Sequence, residues 1–73
     1  MRKKVCIIFG GESVEHEISI ISANSILNNI DKRKYKVFGI FISKDGEFHE
    51  AVYKINKSLK YNFIIKKRNK ILF

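Results

Sequence analysis

The spacing of apolar positions changes twice along the chain. Lys4-Val5-Cys6-Ile7-Ile8-Phe9 is a short apolar run rich in β-formers and stopped by Gly10-Gly11, which predicts a strand buried on both faces of a parallel sheet. From Val14 to Ile30 the spacing is helical: Ile20, Ala23, Ile26, Leu27 and Ile30 share one broad face, so the helix should pack on that sheet. Val14, Ile18 and Ile21, with Ser25, fall on the other side. A surface helix of a lone domain has no use for a second apolar stripe. The expectation is that it meets a surface beyond these residues, either more of a longer chain or a second subunit.

Asn28-Asn29 and Asp31-Lys32-Arg33-Lys34 close the helix, and Tyr35 to Ile42 is a second apolar run. Strand, helix and strand in this order make a βαβ unit with parallel strands and a right-handed crossover. The expected class is therefore α/β, Rossmann-like, with an incomplete sheet. Ser43-Lys44-Asp45-Gly46 reads as a turn, and Glu47-Phe48-His49 as a brief antiparallel return with His49 on the surface. Ala51 to Leu59 has no clean period. Tyr61 to Ile65 and Lys70 to Phe73, on either side of Lys66-Lys67-Arg68-Asn69, predict a C-terminal β-hairpin. The apolar ending at Phe73 suggests part of a domain rather than a finished one.

Chemistry is concentrated where the first strand passes into the helix. Phe9 to Ser19 holds Glu12, Glu15, Glu17 and His16, whereas the other four acids are scattered singly. A glycine loop at a helix N-terminus is a common phosphate site. This one lacks both the third glycine of a dinucleotide fingerprint and the Gly-Lys-Ser/Thr of a P-loop, and its carboxylates would repel an anion. An ammonium suits it better: a partly desolvated carboxylate at the mouth of a strand-to-helix crevice can pair with the amino group of an amino acid. Ser13 is read as the helix N-cap, with Glu15 and Glu17 in the first turn, where the helix dipole favours negative charge. Glu12 and Glu17 are explained by capping and solvation. His16 is a candidate for positioning the loop, and Ser19 and Ser22 are read as packing residues.

Composition narrows the class. Seventy-three residues allow one small domain at most, too little for a complete enzyme. The single cysteine excludes an internal disulfide and any Cys/His zinc spacing, and its place in the first strand predicts a buried thiol. Apolar runs too short for a signal peptide or a membrane span point to a cytoplasmic chain. The formal net charge of +8 opens an alternative, a small basic nucleic-acid-binding or regulatory module. The lysines are spread from end to end, with runs only at Arg2-Lys3-Lys4, Lys32-Arg33-Lys34 and Lys66-Lys67-Arg68. A solvated surface accounts for them, and no nucleic-acid partner is expected.

Phe9-Gly-Gly-Glu-Ser-Val-Glu-His-Glu-Ile-Ser19, with the strand before it and Ile20-Ile-Ser-Ala-Asn-Ser-Ile-Leu27 after it, closely resembles the N-terminus of D-alanine-D-alanine ligases. The family's fixed positions are met by Gly10, Gly11, Ser13, Glu15, His16 and Ser19. Tyr35-Lys-Val, Ile40-Phe-Ile and Lys44-Asp-Gly46 resemble its second strand and turn, so the likeness is specific over residues 4–49. It implies an ATP-grasp enzyme of peptidoglycan precursor synthesis, with this chain as the first part of its pre-ATP-grasp, substrate-binding domain. Such enzymes phosphorylate one D-alanine carboxylate with ATP and Mg2+, and the amine of a second D-alanine attacks the acyl phosphate. By the same resemblance Glu15 contacts the ammonium of the first D-alanine, with Ser13 and His16 as loop-positioning candidates, while Glu12 holds a variable position. The family's His-Gly and Gly-Glu-Asp-Gly segments, ATP-binding lysines, oxyanion-stabilising arginine and acidic magnesium ligands are missing from these residues. The chain alone is therefore expected to be inactive, with no cofactor or metal ligand of its own. Choice between D-alanine, D-lactate and D-serine as second substrate would lie outside it.

Overall fold

The computed structural model describes residues 2–71, and at 67–70 the backbone only. The elements run β1 (Lys3–Gly10), α1 (His16–Asn29), β2 (Tyr35–Ile42), β3 (Phe48–Ile55) and β4 (Tyr61–Lys70). They form one sheet in the order β1-β2-β3-β4. β1 and β2 are parallel, from Lys3 opposite Tyr35 to Gly10 opposite Ile42, as the βαβ pattern predicts. The other two pairs are antiparallel, so the sheet is mixed.

The odd-numbered residues of β1 and β2 face α1. Ile7, Phe9 and Val37 meet Ala51 and Phe63 from the later strands and Ala23 and Leu27 from the helix, and these seven form the buried core. Leu27 is wholly buried. Phe63 reaches the middle of the sheet because Gly39 has no side chain: a Cβ there would lie 2.5 Å from Phe63 Cε1. Phe63 also stacks on Phe9, ring centroids 4.8 Å apart. Of the predicted helical face, Ala23 and Leu27 are buried and Ile20 and Ile30 pack against the core. Ile26 is half exposed, at the margin of the stripe.

Four expectations are corrected. Residues 61–70 form one continuous strand, not the first limb and turn of a hairpin, because β3 supplies their partner along Ile55↔Tyr61 to Glu50↔Lys66; residues 72–73 of the expected second limb lie outside the described residues. The antiparallel return at Glu47–His49 does pair with β2, but it is the start of an eight-residue strand rather than a brief one, with a shift of its register against β4 between His49 and Glu50. β1 is covered on one face only. Among the described residues no helix or further strand packs on the far side of the sheet, where Ile8 is 59%, Phe38 43% and Ile64 40% exposed. Cys6 lies on that side and is exposed, not buried.

The two edges of the sheet differ. At the β4 edge Asn28 accepts from Tyr61 N–H at 2.7 Å and donates to Tyr61 O at 2.8 Å. Asn24 accepts from Phe63 N–H at 2.9 Å. These amides stand in for a neighbouring strand and close that edge against further pairing. Lys32 reaches back to the carbonyl of Leu27 at the end of α1 and lies 4.1 Å over the Tyr61 ring, tying the same corner.

Candidate functional site

The loop after β1 is shaped by crowding. Gly10 has φ +93°, and a Cβ there would lie 2.2 Å from the carbonyl oxygen of Ile42. Only glycine lets β1 keep register with β2 to its last residue and then turn away. Gly11 N–H donates to that same Ile42 oxygen at 2.8 Å.

Two side chains of α1 hold the loop. Ser19 Oγ accepts from Gly10 N–H at 2.9 Å, and His16 Nδ1 lies 2.6 Å from Gly11 O. A carbonyl can only accept, so His16 donates and carries its proton on Nδ1. The ring is buried and meets Phe41 edge-on, centroids 5.4 Å apart. The predicted positioning role of His16 thus has a contact to rest on. The Ser19 contact was missed in the sequence, where Ser19 was read as a packing residue; the available signals are its match to a fixed position of the resembled family and its place in the first turn of the helix that must fold back beside Gly10.

Ser13 does not cap the helix. α1 begins at His16 with Glu15 at its N-cap and no side-chain cap bond. Ser13 instead folds the approach: its Oγ accepts from Glu15 N–H at 3.2 Å, and its carbonyl accepts from His16 N–H at 3.2 Å. The reason is the two glycines, which delay the first helical turn beyond the point at which the apolar spacing begins. Val14 is left fully exposed, Ile18 61% and Ile21 69%, so the second stripe is open to solvent.

The three acids separate in space. Glu12 lies over the β2–β3 turn, its Oε1 3.1 Å from where a Cβ on Gly46 would stand. Glu17 faces Lys44, with Oε1 3.9 Å from Nζ and both groups exposed. Glu15 sits at the helix start, and among the described residues no cation or donor touches its carboxylate. It is exposed, so the partial desolvation expected of it is not reached within these residues. His49, expected on the surface, is buried on the α1 side beyond Phe41, and its Nδ1 has no partner among the described residues. Pairing opposite Phe41 in β2 sets it on that face, with Ala51 two residues on.

The opposite end of the sheet is basic. Parallel pairing of β1 with β2 brings the starts of both strands together, and with them two lysine- and arginine-rich runs that are distant in sequence. Arg2, Lys3, Arg33, Lys34 and Tyr35 line one hollow of about 570 Å³. Among the described residues no group of three or more His, Cys, Asp or Glu could hold a metal ion, and no helix is long and apolar enough to cross a membrane.

Residues 4–70 match the sequence model of the family described as D-ala D-ala ligase N-terminus. The chain is 54% identical over 57 residues to a D-alanine--D-alanine ligase of Clostridium novyi, covering 78% of this chain and 17% of that protein. It is 58% identical over 50 residues to a D-alanine--D-alanine ligase of Clostridium acetobutylicum, covering 68% of this chain and 15% of that protein. The chain thus spans about a sixth of the length of these relatives. Its fold is similar to that of the VanG D-Ala:D-Ser ligase from Enterococcus faecalis, with TM-score 0.67 and 28% identity over 89% of this chain and 25% of that one.

Proposed function

The chain belongs to the D-ala D-ala ligase N-terminus family, and from that premise we propose that it is the first part of an ATP-dependent, cytoplasmic ligase joining two D-alanines through an acyl phosphate, for peptidoglycan precursors. Glu15 receives the ammonium of the first D-alanine. The carrying observation is that Glu12 lies over the β2–β3 turn and Glu17 faces Lys44 within it, while the exposed Glu15 carboxylate stands clear of that turn at the loop's mouth. His16 and Ser19 clamp the glycines before it, and Ser13 folds the turn that leads to it. An ammonium beside this carboxylate would form a charge-assisted hydrogen bond, strengthened once further surface shields the site from water.

The residues present do not fit ATP or magnesium. The helix N-terminus that would take a phosphate is surrounded by Glu12, Glu15 and Glu17, and the described residues offer no metal cluster. The chain alone is inactive on this reading, and the remainder of a ligase chain, or a homodimer partner, covers the stripe at Val14, Ile18 and Ile21.

The test is a chimera in which the matching N-terminal segment of the Clostridium novyi ligase is replaced by this one, a swap of 54% identical sequence. The chimera should form D-alanyl-D-alanine. Glu15→Gln should raise KM for D-alanine by roughly tenfold to a hundredfold, the loss of one charged hydrogen bond, and Glu12→Gln should leave it unchanged. Equal effects of the two substitutions would refute the assignment.

A further inference from the structure

Strand pairing sorts the charges of this chain by pole. Residues 2–4 start β1, residues 31–36 lead into β2, and residues 54–60 end β3 and turn into β4; the register sets all three segments at one end of the sheet. Together they hold ten of the fifteen Lys and Arg and, of the seven acids, only Asp31. The rest of the chain holds five bases against six acids. The loop that carries Glu15 lies at the other end, about 25 Å away along the eight residues of β1. The role given to Glu15 makes no use of the basic pole.

Within this pole one place is concave. Arg2, Lys3, Arg33, Lys34 and Tyr35 line the hollow of about 570 Å³. Its walls are fixed to each other: Lys3 N–H donates to Lys34 O at 3.1 Å, Lys34 N–H to Asp31 O at 3.1 Å, and Arg2 Nη1 to Lys32 O at 3.3 Å. The nearby negative groups are already answered. Lys32 covers the carbonyls of Leu27 and Ile30 at the negative end of α1, and Asp31 Oδ1 lies 3.4 Å from Arg33 Nε. Among the described residues no acid pairs with Arg2, Lys3 or Lys34. A further layer could cover the hollow only by supplying matching acids, since unmatched charge is costly to take from water.

We propose that this hollow binds a small anion carrying two or more phosphate groups, at a site separate from the amino-acid loop. Guanidinium forks match phosphate oxygens in pairs, and lysines add charge without fixed geometry. A single carboxylate would leave most of the four cations unmatched. A hollow, unlike a groove, limits the length of the ligand it takes. The site stands apart from the ligase reading, and binding rather than activity tests it.

Tripolyphosphate titrated at low salt into the 73-residue chain, followed by amide NMR, should give saturable shifts at Lys3, Lys34 and Tyr35 and little change at Lys57 and Lys60. Lys3→Gln with Lys34→Gln should weaken binding roughly tenfold or more. Lys57→Gln with Lys60→Gln removes the same charge from the same pole, and should change it less than about twofold. All four side chains are exposed, so both double variants should keep the fold. Orthophosphate should bind at least about tenfold more weakly than tripolyphosphate. Equal weakening by the two double variants would show that only net charge is sensed and would overturn the proposal, as would orthophosphate binding as tightly as tripolyphosphate. A single-stranded oligonucleotide that binds more tightly still and also shifts Lys54, Lys57 and Lys60 would overturn it in favour of a nucleic-acid face. In the chimera with the Clostridium novyi ligase, calorimetry should return the same affinity and the same ratio between the double variants. Loss of binding there would show that the rest of a ligase fills the hollow, and would overturn the proposal too.

Discussion

Substituting the two loop glycines one at a time separates backbone strain from crowding. In Gly10→Ala the new Cβ would stand 2.2 Å from Ile42 O and 3.1 Å from a ring carbon of Phe41. Van der Waals contact needs about 1 Å more, and because the obstacle is backbone, the last rung between β1 and β2 must open. Opening it loses the Gly11 N–H to Ile42 O bond, worth about 1 kcal/mol, and displaces Phe41 from the cluster around His16. An L-residue held at φ +93° adds about 1–2 kcal/mol. With about 1 kcal/mol more for the lost Phe41 packing, the sum is about 3–4 kcal/mol before the unfolded-state gain of alanine, which both variants share, is set against it. Gly11→Ala carries the backbone cost alone, about 1–2 kcal/mol, since at φ +109° its Cβ would meet nothing within 4 Å. Urea unfolding followed by far-ultraviolet circular dichroism should place Gly10→Ala about 2 kcal/mol below Gly11→Ala. Thermal melts should differ by about 8–16 °C for a domain of this size. Equal losses in the two variants would show that Ile42 yields freely and that Gly10 does not set the register.

Asn28→Ala should cost about 1–3 kcal/mol, because it removes both hydrogen bonds to the Tyr61 backbone. Amide exchange at Tyr61 should speed up while that of Val37 in the sheet centre does not; unchanged exchange at Tyr61 would mean that water replaces the side chain without loss. The Asp45 carboxyl is held below its ordinary value of 3.8, chiefly by the Ser43 hydroxyl donating to it. A depressed folded value means that this contribution to stability is present above about pH 4 and is lost as pH falls through the folded pKa. Ser43→Ala should let the Asp45 titration, followed by carboxyl carbon NMR, rise toward 3.8; an unmoved midpoint would remove the hydroxyl as the cause.

The local pattern alone determined the βαβ unit, the bounds of β2, the stop of β1 at Gly10-Gly11 and the acid-rich loop, since each follows from side-chain period or from a residue's own conformational range. It could not say which strand pairs with which. β4 was misread as half a hairpin because Tyr61–Lys70 carries no signal that β3 lies beside it. Ser13 looks like an N-cap in sequence, and only the path of the chain past Gly11 moves the helix start to His16. Cys6 and Ile8 have the composition of buried residues; their exposure depends on what covers the far side of the sheet, which apolar spacing cannot express. The separation of the three glutamates is likewise tertiary. Glu12, Glu15 and Glu17 are equivalent by charge and near neighbours in sequence, and only the β2–β3 turn, brought alongside by strand pairing, sets Glu12 beside Gly46 and Glu17 toward Lys44 and leaves Glu15 apart. Local residue chemistry sets backbone shape within a few residues, while strand pairing, a matter of distant segments meeting, decides which charged groups are left to act.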